Sequence, residues 1–234
     1  MARRILGVLG GMGPLASAQF MVRLTELTPA ACDQEHVPCV LWSDPRVPDR
    51  TEARLGGGAD PLPCLLHGLR GLAQAGCGAV AIPCNTAHGW HEEMAAAGIL
   101  PILHIVDAAA EELRRRGVPP GPVGVMGTAG TLAMRLYQDR LAARGWSCLV
   151  PEPIEMARLV TPAIAAVKAG RIDAARAPLA EAAARLAARG AAAVVLGCTE
   201  IPLALREAGR DGPMLVDTID ALARAAIAWA REEG

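Results

Sequence analysis

Two cysteines occupy positions from which chemistry is readily done. Cys84 ends the apolar run Ala79-Val80-Ala81-Ile82-Pro83 and is followed by Asn85 and Thr86; Cys198 ends Ala193-Val194-Val195-Leu196-Gly197 and is followed by Thr199 and Glu200. A thiol with an ordinary pKa of about 8.5 is poised between thiol and thiolate by helix N-termini and nearby cations. Thr86 and Thr199 lie where helices would begin, so backbone N–H groups there favour the anion. Two thiols delivered alike by two parts of one chain form a matched pair of proton-transfer groups. That pairing suits a reaction that removes a proton from one face of a carbon and returns one to the other face. Taken singly, each is as well explained as a buried cysteine closing a core strand.

Other residues offer weaker signals. Gly10-Gly11-Met12-Gly13-Pro14 opens a helix after a first strand, where glycines let backbone approach a ligand or simply make a tight turn. Counted from Gly10 it does not match a dinucleotide fingerprint, because Met12 and Leu15 stand at glycine positions, and with no Lys-Ser/Thr following it is not a P-loop. Arg50, in the loop Pro48-Asp49-Arg50-Thr51, could grip a substrate carboxylate with two parallel N–H bonds or merely be solvated beside a turn capped by Asp49. Lys168 ends an Ala-rich helix, a place that favours Lys for dipole reasons alone. Cys84, His88 and His91 have helical spacing for a metal, but no second ligand cluster accompanies them and Cys198 brings no His, so no metal is expected. A Cys84–His88 hydrolase pair would leave Cys198 without a role.

These groups are positioned by alternating elements. Strand-like runs near 4–9, 38–42, 78–83, 101–105, 122–126, 147–150, 192–197 and 213–216 alternate with helical stretches near 15–28, 61–75, 87–97, 107–116, 131–144, 155–168, 172–189 and 218–232. That is the pattern of a parallel α/β protein. Gly7-Val8-Leu9-Gly10 and Gly124-Val125-Met126-Gly127 lie 117 positions apart, and Cys84 and Cys198 lie 114 apart, which predicts a duplicated unit. The reading is two pseudo-symmetric α/β domains with central parallel sheets, 1–104 with 213–234 and 105–212. Equivalent loops would then bring the thiols to a cleft at the carboxyl ends of the strands, where open α/β sheets place ligands.

Composition narrows the function classes. The 234 residues carry 23 basic and 24 acidic side chains with no long block of one sign, which argues against nucleic acid and anionic membranes. With one Phe and one Tyr there is no aromatic platform for bases. The uncharged stretches 71–91 and 117–134 are interrupted by Gly and Pro and read as buried strands and turns, so no membrane span is expected. Met1-Ala2-Arg3-Arg4 before a short apolar run imitates a signal peptide, but glycines break that run and a first strand fits better. Seven cysteines without paired spacing predict a reducing, cytoplasmic setting, with Cys32, Cys39, Cys64, Cys77 and Cys148 as small hydrophobes or surface groups.

The motifs in order resemble the aspartate/glutamate racemase superfamily, and most of all its aspartate racemases. The series is Gly10-Gly11-Met12-Gly13-Pro14, Asp33-Gln34-Glu35-His36, Pro48-Asp49-Arg50-Thr51 and Pro83-Cys84-Asn85-Thr86-Ala87-His88. It continues with Gly130-Thr131, Val167-Lys168-Ala169-Gly170 and Gly197-Cys198-Thr199-Glu200. Glutamate racemases of the cell-wall type carry an Asp-Ser-Gly opening and a His after the second Cys-Thr, where this chain has Gly11-Met12-Gly13 and Glu200. The resemblance implies a homodimeric, cofactor-independent enzyme that interconverts L- and D-aspartate, with Cys84 and Cys198 as the acid/base pair. By the same resemblance, Arg50 and Lys168 hold the side-chain carboxylate, while Asn85, Thr86, Thr131 and Thr199 contact the α-carboxylate and ammonium. Asp44-Pro45 replaces the family's frequent Asn-Pro, adding a negative charge near an acidic substrate. Other readings are a racemase for glutamate or a broader set of amino acids, a dicarboxylate decarboxylase or cis–trans isomerase, and a non-catalytic binder of acidic amino acids.

Overall fold

The computed structural model describes residues 4–206 and 212–232 of the chain. Among them, short strands build two four-stranded sheets in which every neighbouring pair is parallel. The first contains β1 (Leu6–Gly10), β2 (Cys39–Ser43), β3 (Ala79–Ala81) and β4 (Ile102–Leu103) in the order β2-β1-β3-β4. The second contains β5 (Gly121–Gly127), β6 (Trp146–Leu149), β7 (Val194–Gly197) and β8 (Leu215–Asp217) in the order β6-β5-β7-β8. One order is the other shifted by four strands. This is the α/β class with two parallel sheets and a repeated plan that the glycine and cysteine spacings predict.

The repeat extends to register and packing. Gly7 pairs with Val80 in the first sheet, and Gly124 pairs with Val194 in the second. Each glycine lies under a helix that passes too close for a side chain. A Cβ on Gly7 would come within 3.1 Å of Leu72 and 3.2 Å of Val80, and one on Gly124 within 3.1 Å of both Leu186 and Val194. The covering helices, Leu62–Gln74 and Ile172–Ala188, bury Leu65, Gly68, Leu69 and Leu72 in one case and Ala175, Leu179, Ala182, Ala183 and Leu186 in the other. Both patterns are single apolar stripes of helical period. Because helices cover these sheets, the central strands are apolar along their whole length rather than alternating; β1 is buried at all five positions.

The chain divides into two compact units, one running to Ala108 and resuming at Ile219, the other spanning Ala109–Thr218. The strand and helix near 213–232, read from sequence as returning together to the first domain, part company. β8 pairs with β7 in the second sheet, Leu215 beside Val194 and Val216 beside Val195, and buries Val216. Its apolar edge completes that sheet, so the return to the first unit begins only with the helix Thr218–Arg231. There Arg23 of the helix Pro14–Leu27 grips Asp220 with two N–H···O bonds of 2.7 Å. The helix Ile105–Arg115, which follows β4, belongs from Ala109 onward to the second unit. There the buried Glu112 pairs with Arg115 and Arg116, and Arg116 also donates to the Leu215 carbonyl of β8 at 2.9 Å.

The residues Met1–Arg3 of the signal-like start, 207–211 and 233–234, all inside the domain ranges read from sequence, lie outside the described residues. The stretch 131–144 forms two helices, Ala129–Ala133 and Leu136–Ala142, separated at Arg135 by a left-handed backbone (φ 54°). The presumed loop around Arg50 is a helix, Arg50–Leu55, whose first turn is capped by the Asp49 carboxylate, accepting from the Thr51 and Glu52 N–H groups at 2.8 and 3.0 Å. Among the described residues, no helix is long and apolar enough to cross a membrane.

Candidate active site

Cys84 lies three residues past the end of β3, at the carboxyl edge of the first sheet where strand order reverses between β1 and β3. Open α/β sheets bind ligands at such a reversal, because the flanking loops diverge there. The residue is 5 % exposed, and a short 3-10 helix, Thr86–Trp90, begins two positions later with Asn85 and Thr86 buried. His88 braces this loop. Its Nδ1 is 2.9 Å from the Cys84 carbonyl and its Nε2 accepts the Ile105 N–H at 3.2 Å, so the partners assign a neutral ring with the proton on Nδ1. Both nitrogens are committed to backbone, and neither is placed to take a proton from the thiol. His88, His91 and His104 touch ring to ring, with centroids 4.6 to 6.4 Å apart. Even so, no group of three His, Cys, Asp or Glu among the described residues could hold a metal.

Cys198 occupies the matching place in the second sheet. Gly127 of β5 pairs with Gly197 of β7, and Cys198 is the next residue. Continuing the β1–β3 register by two positions puts Pro83 beside Gly10, with Cys84 next. The two thiols are therefore equivalent to the residue. Cys198 is also 5 % exposed, and buried Thr199 and Glu200 lead into the helix Ile201–Leu205. The Cys198 thiol donates to Glu200 Oε2 at 3.0 Å, and the Thr199 hydroxyl points to the same oxygen at 3.4 Å. Burial pushes the Cys198 thiol well above its ordinary range, the Glu200 carboxylate adds to that, and the Glu200 backbone N–H and the Lys168 ammonium oppose it.

Arg50 reaches back to the same edge as Cys84. Its Nη1 donates to the Val47 and Pro48 carbonyls at 3.2 and 3.0 Å, and its Nη2 to the Met12 carbonyl at 3.3 Å. Met12 and Val47 share a core cluster with Cys84. The Arg50 Nε is buried with no hydrogen-bond partner among the described residues. In the second unit, Lys168 is exposed at the end of the helix Thr161–Lys168, within electrostatic range of Cys198. Thr131 is fully buried beside the glycine-paired ends of β5 and β7, its N–H bonded to the Thr128 side chain at 3.1 Å.

The structure thus groups Arg50, Cys84, Asn85 and Thr86 at one sheet edge, and Thr131, Lys168, Cys198 and Thr199 at the other. Asp44 is held by Arg46 through bonds of 2.8 and 2.9 Å that pull its carboxyl down to about 2. Its negative charge is thereby partnered. The glycine loop after β1 folds on itself: the Gly11 N–H donates to Ser17 Oγ at 2.9 Å, and Ser17 Oγ donates to the Gly13 carbonyl at 2.9 Å. Gly11 has φ 91°, and a Cβ there would lie 2.4 Å from the Asp44 backbone. Gly11→Ala should therefore cost about 2 kcal/mol or more of stability, seen as a lower Tm, and loosen the loop that receives the Arg50 guanidinium.

A family model described as Asp/Glu/hydantoin racemase matches residues 9–226. The chain belongs to this family. It is a PLP-independent racemase, an isomerase of amino-acid metabolism. Its fold is shared with the aspartate racemase of Picrophilus torridus, at a TM-score of 0.83 and 29 % identity over 98 % of this chain and 95 % of that one. A glutamate racemase of Deinococcus radiodurans is 30 % identical over 222 residues, covering 92 % of this chain and 69 % of its own. The broad specificity amino-acid racemase RacX of Bacillus subtilis is 28 % identical over 174 residues, or 70 % of this chain and 71 % of its own. Glu200 and His88 are the residues near the thiols whose bonds spacing did not forecast. Glu200 had a signal, an acidic residue two positions after the thiol.

Proposed function

We propose that this racemase interconverts L- and D-aspartate through Cys84 and Cys198, one acting as thiolate base and the other as thiol acid on opposite faces of the α-carbon. The observation that carries the reading is the equivalence of the two thiols, equally buried and each four residues after the valine paired with the strand glycine, Val80 with Gly7 and Val194 with Gly124. A two-base reaction needs two groups of one chemical kind, because their roles exchange when the direction reverses. Arg50 and Lys168 supply the cations for the side-chain carboxylate. Asn85, Thr86, Thr131 and Thr199 supply donors for the α-carboxylate, on which negative charge grows as the proton leaves. The partnering of Asp44 by Arg46 removes one objection to an acidic ligand.

Glutamate or a broader set of amino acids is the second reading, favoured by the names of the Deinococcus and Bacillus relatives. The test is incubation of reduced, purified protein with L-aspartate and, separately, L-glutamate in deuterated buffer without added cofactor. Loss of the α-proton signal with appearance of D-aspartate, faster than the glutamate reaction, is the expected result. Faster exchange of glutamate or of a neutral amino acid would move the assignment to that substrate; stoichiometric binding without exchange would overturn catalysis. The proposal includes a reducing, cytoplasmic setting, supported by seven cysteines that are all free, and a homodimer, to be checked by light scattering.

A further inference from the structure

We propose that Glu200 fixes the resting protonation state of the pair, holding the proton on Cys198 through its S–H···O bond, so that Cys84 is the resting base. The inference rests on the two-base reading for its catalytic meaning, but its physical basis is local. The two thiols are equivalent in register and in exposure, and differ in what they touch. Cys198 donates to a buried carboxylate oxygen 3.0 Å away, to which the Thr199 hydroxyl also points. Among the described residues, no carboxylate hydrogen-bonds Cys84; its loop is braced by a neutral His88 instead. A repeated fold with symmetric chemistry has thus acquired one asymmetric neighbour.

The electrostatics agree in sign. A carboxylate accepting from S–H stabilises the thiol, and the same carboxylate beside S⁻ repels it, so both effects raise the free energy of ionising Cys198. The charged and titratable groups acting on this thiol are Glu200 from its own loop, Lys168 from the end of the helix Thr161–Lys168, and the buried Tyr137 of the helix Leu136–Ala142. The Glu200 backbone N–H and the Lys168 ammonium favour the thiolate against the Glu200 carboxylate and burial, and Lys168 is exposed to solvent, where its field is screened. In a first turnover the α-proton passes to the Cys84 sulfur and the Cys198 proton passes to the carbanion, leaving Cys84 neutral and Cys198 anionic against Glu200. That repulsion favours the return of a proton to Cys198 and restores the resting state. Glu200 acts through the thiol and is a positioning residue, not a group that touches substrate.

The test reads each cysteine separately, by iodoacetamide labelling of the intact enzyme followed by mass spectrometry across a pH series. In the unsubstituted protein Cys84 should be labelled ahead of Cys198, since their exposures are equal and only the thiolate reacts. Glu200→Gln keeps the size and removes the charge. It should speed Cys198 labelling about tenfold at a pH near 8, the gain in thiolate expected for a pKa lowered by one unit, and leave Cys84 unchanged. Glu200→Asp, which keeps the charge, should fall between the two. Coincident Cys198 profiles for the unsubstituted and Gln forms, an Asp form as fast as the Gln form, or Cys198 labelled first in the unsubstituted protein would each overturn the proposal. The last of these needs no variant to fold. Labelling requires no substrate, so absence of exchange with every amino acid would sink the racemisation proposal without touching this one.

Discussion

Cys84→Ser and Cys198→Ser should each lower racemisation by at least about a thousandfold, the upper part of the range contributed by a positioned acid or base. Serine keeps the size of the side chain and its place after the strand, so a folded variant isolates the chemistry. Its hydroxyl ionises far above neutral pH and cannot stand as the resting base. The two variants should also differ from one another. Cys198→Ser keeps the resting base, and in deuterated buffer it should still exchange the α-proton of the enantiomer presented to Cys84, without inversion. Cys84→Ser removes that base and should be silent with both enantiomers. Chiral chromatography and proton loss, followed side by side, separate the cases. Near-normal turnover by either variant would refute the two-base mechanism.

Much of this arrangement is legible in the sequence because parallel α/β units repeat local signals. A glycine lets a helix pass close over each central strand, and a thiol follows the paired strand; both recur at nearly constant spacing, as Gly7 with Cys84 and Gly124 with Cys198. Identical strand orders follow from that duplication. What escapes the sequence is whatever depends on distant partners. Nothing in the period of the helix Thr218–Arg231 says that it joins the first unit while the strand before it stays in the second, because an apolar stripe does not name the surface it covers. The helix Arg50–Leu55 is too short for periodicity and is announced only by its Asp49 cap. Arg135 breaks a helical stretch with a left-handed backbone that no glycine foretells.

The candidate site residues divide along the same line. Residue types after each strand point to the thiols, whereas the commitments of neighbouring side chains are set only once the chain is folded. His88 has the right spacing from Cys84 for a catalytic pair or a metal site, yet its two nitrogens serve the Cys84 carbonyl and the Ile105 N–H. Asp44 reads as an unfavourable charge until Arg46, two residues on, folds back to it. Glu200 reads as a family difference until its oxygen is found on the Cys198 sulfur.

Arg50→Lys should raise KM for the acidic amino acid by about 10- to 100-fold while changing kcat much less, because a charged hydrogen bond contributes about 1.5–3 kcal/mol and each 1.4 kcal/mol is tenfold. A guanidinium has five N–H groups, and three are spent on the carbonyls of Val47, Pro48 and Met12. Two donors remain, the buried Nε–H and one N–H on Nη2, on the two nitrogens from which a guanidinium grips a carboxylate side-on. The three backbone bonds fix the guanidinium and leave these two donors unspent. Lysine preserves the charge but offers neither the side-on grip nor three fixed bonds to the loop, so charge alone is not expected to restore binding. Arg50→Ala would also leave three carbonyls unsatisfied and confuse binding with loop stability; Lys, compared at equal Tm, is the cleaner probe. An unchanged KM in a folded Arg50→Lys enzyme would remove Arg50 from the substrate site and return it to the role of a loop brace.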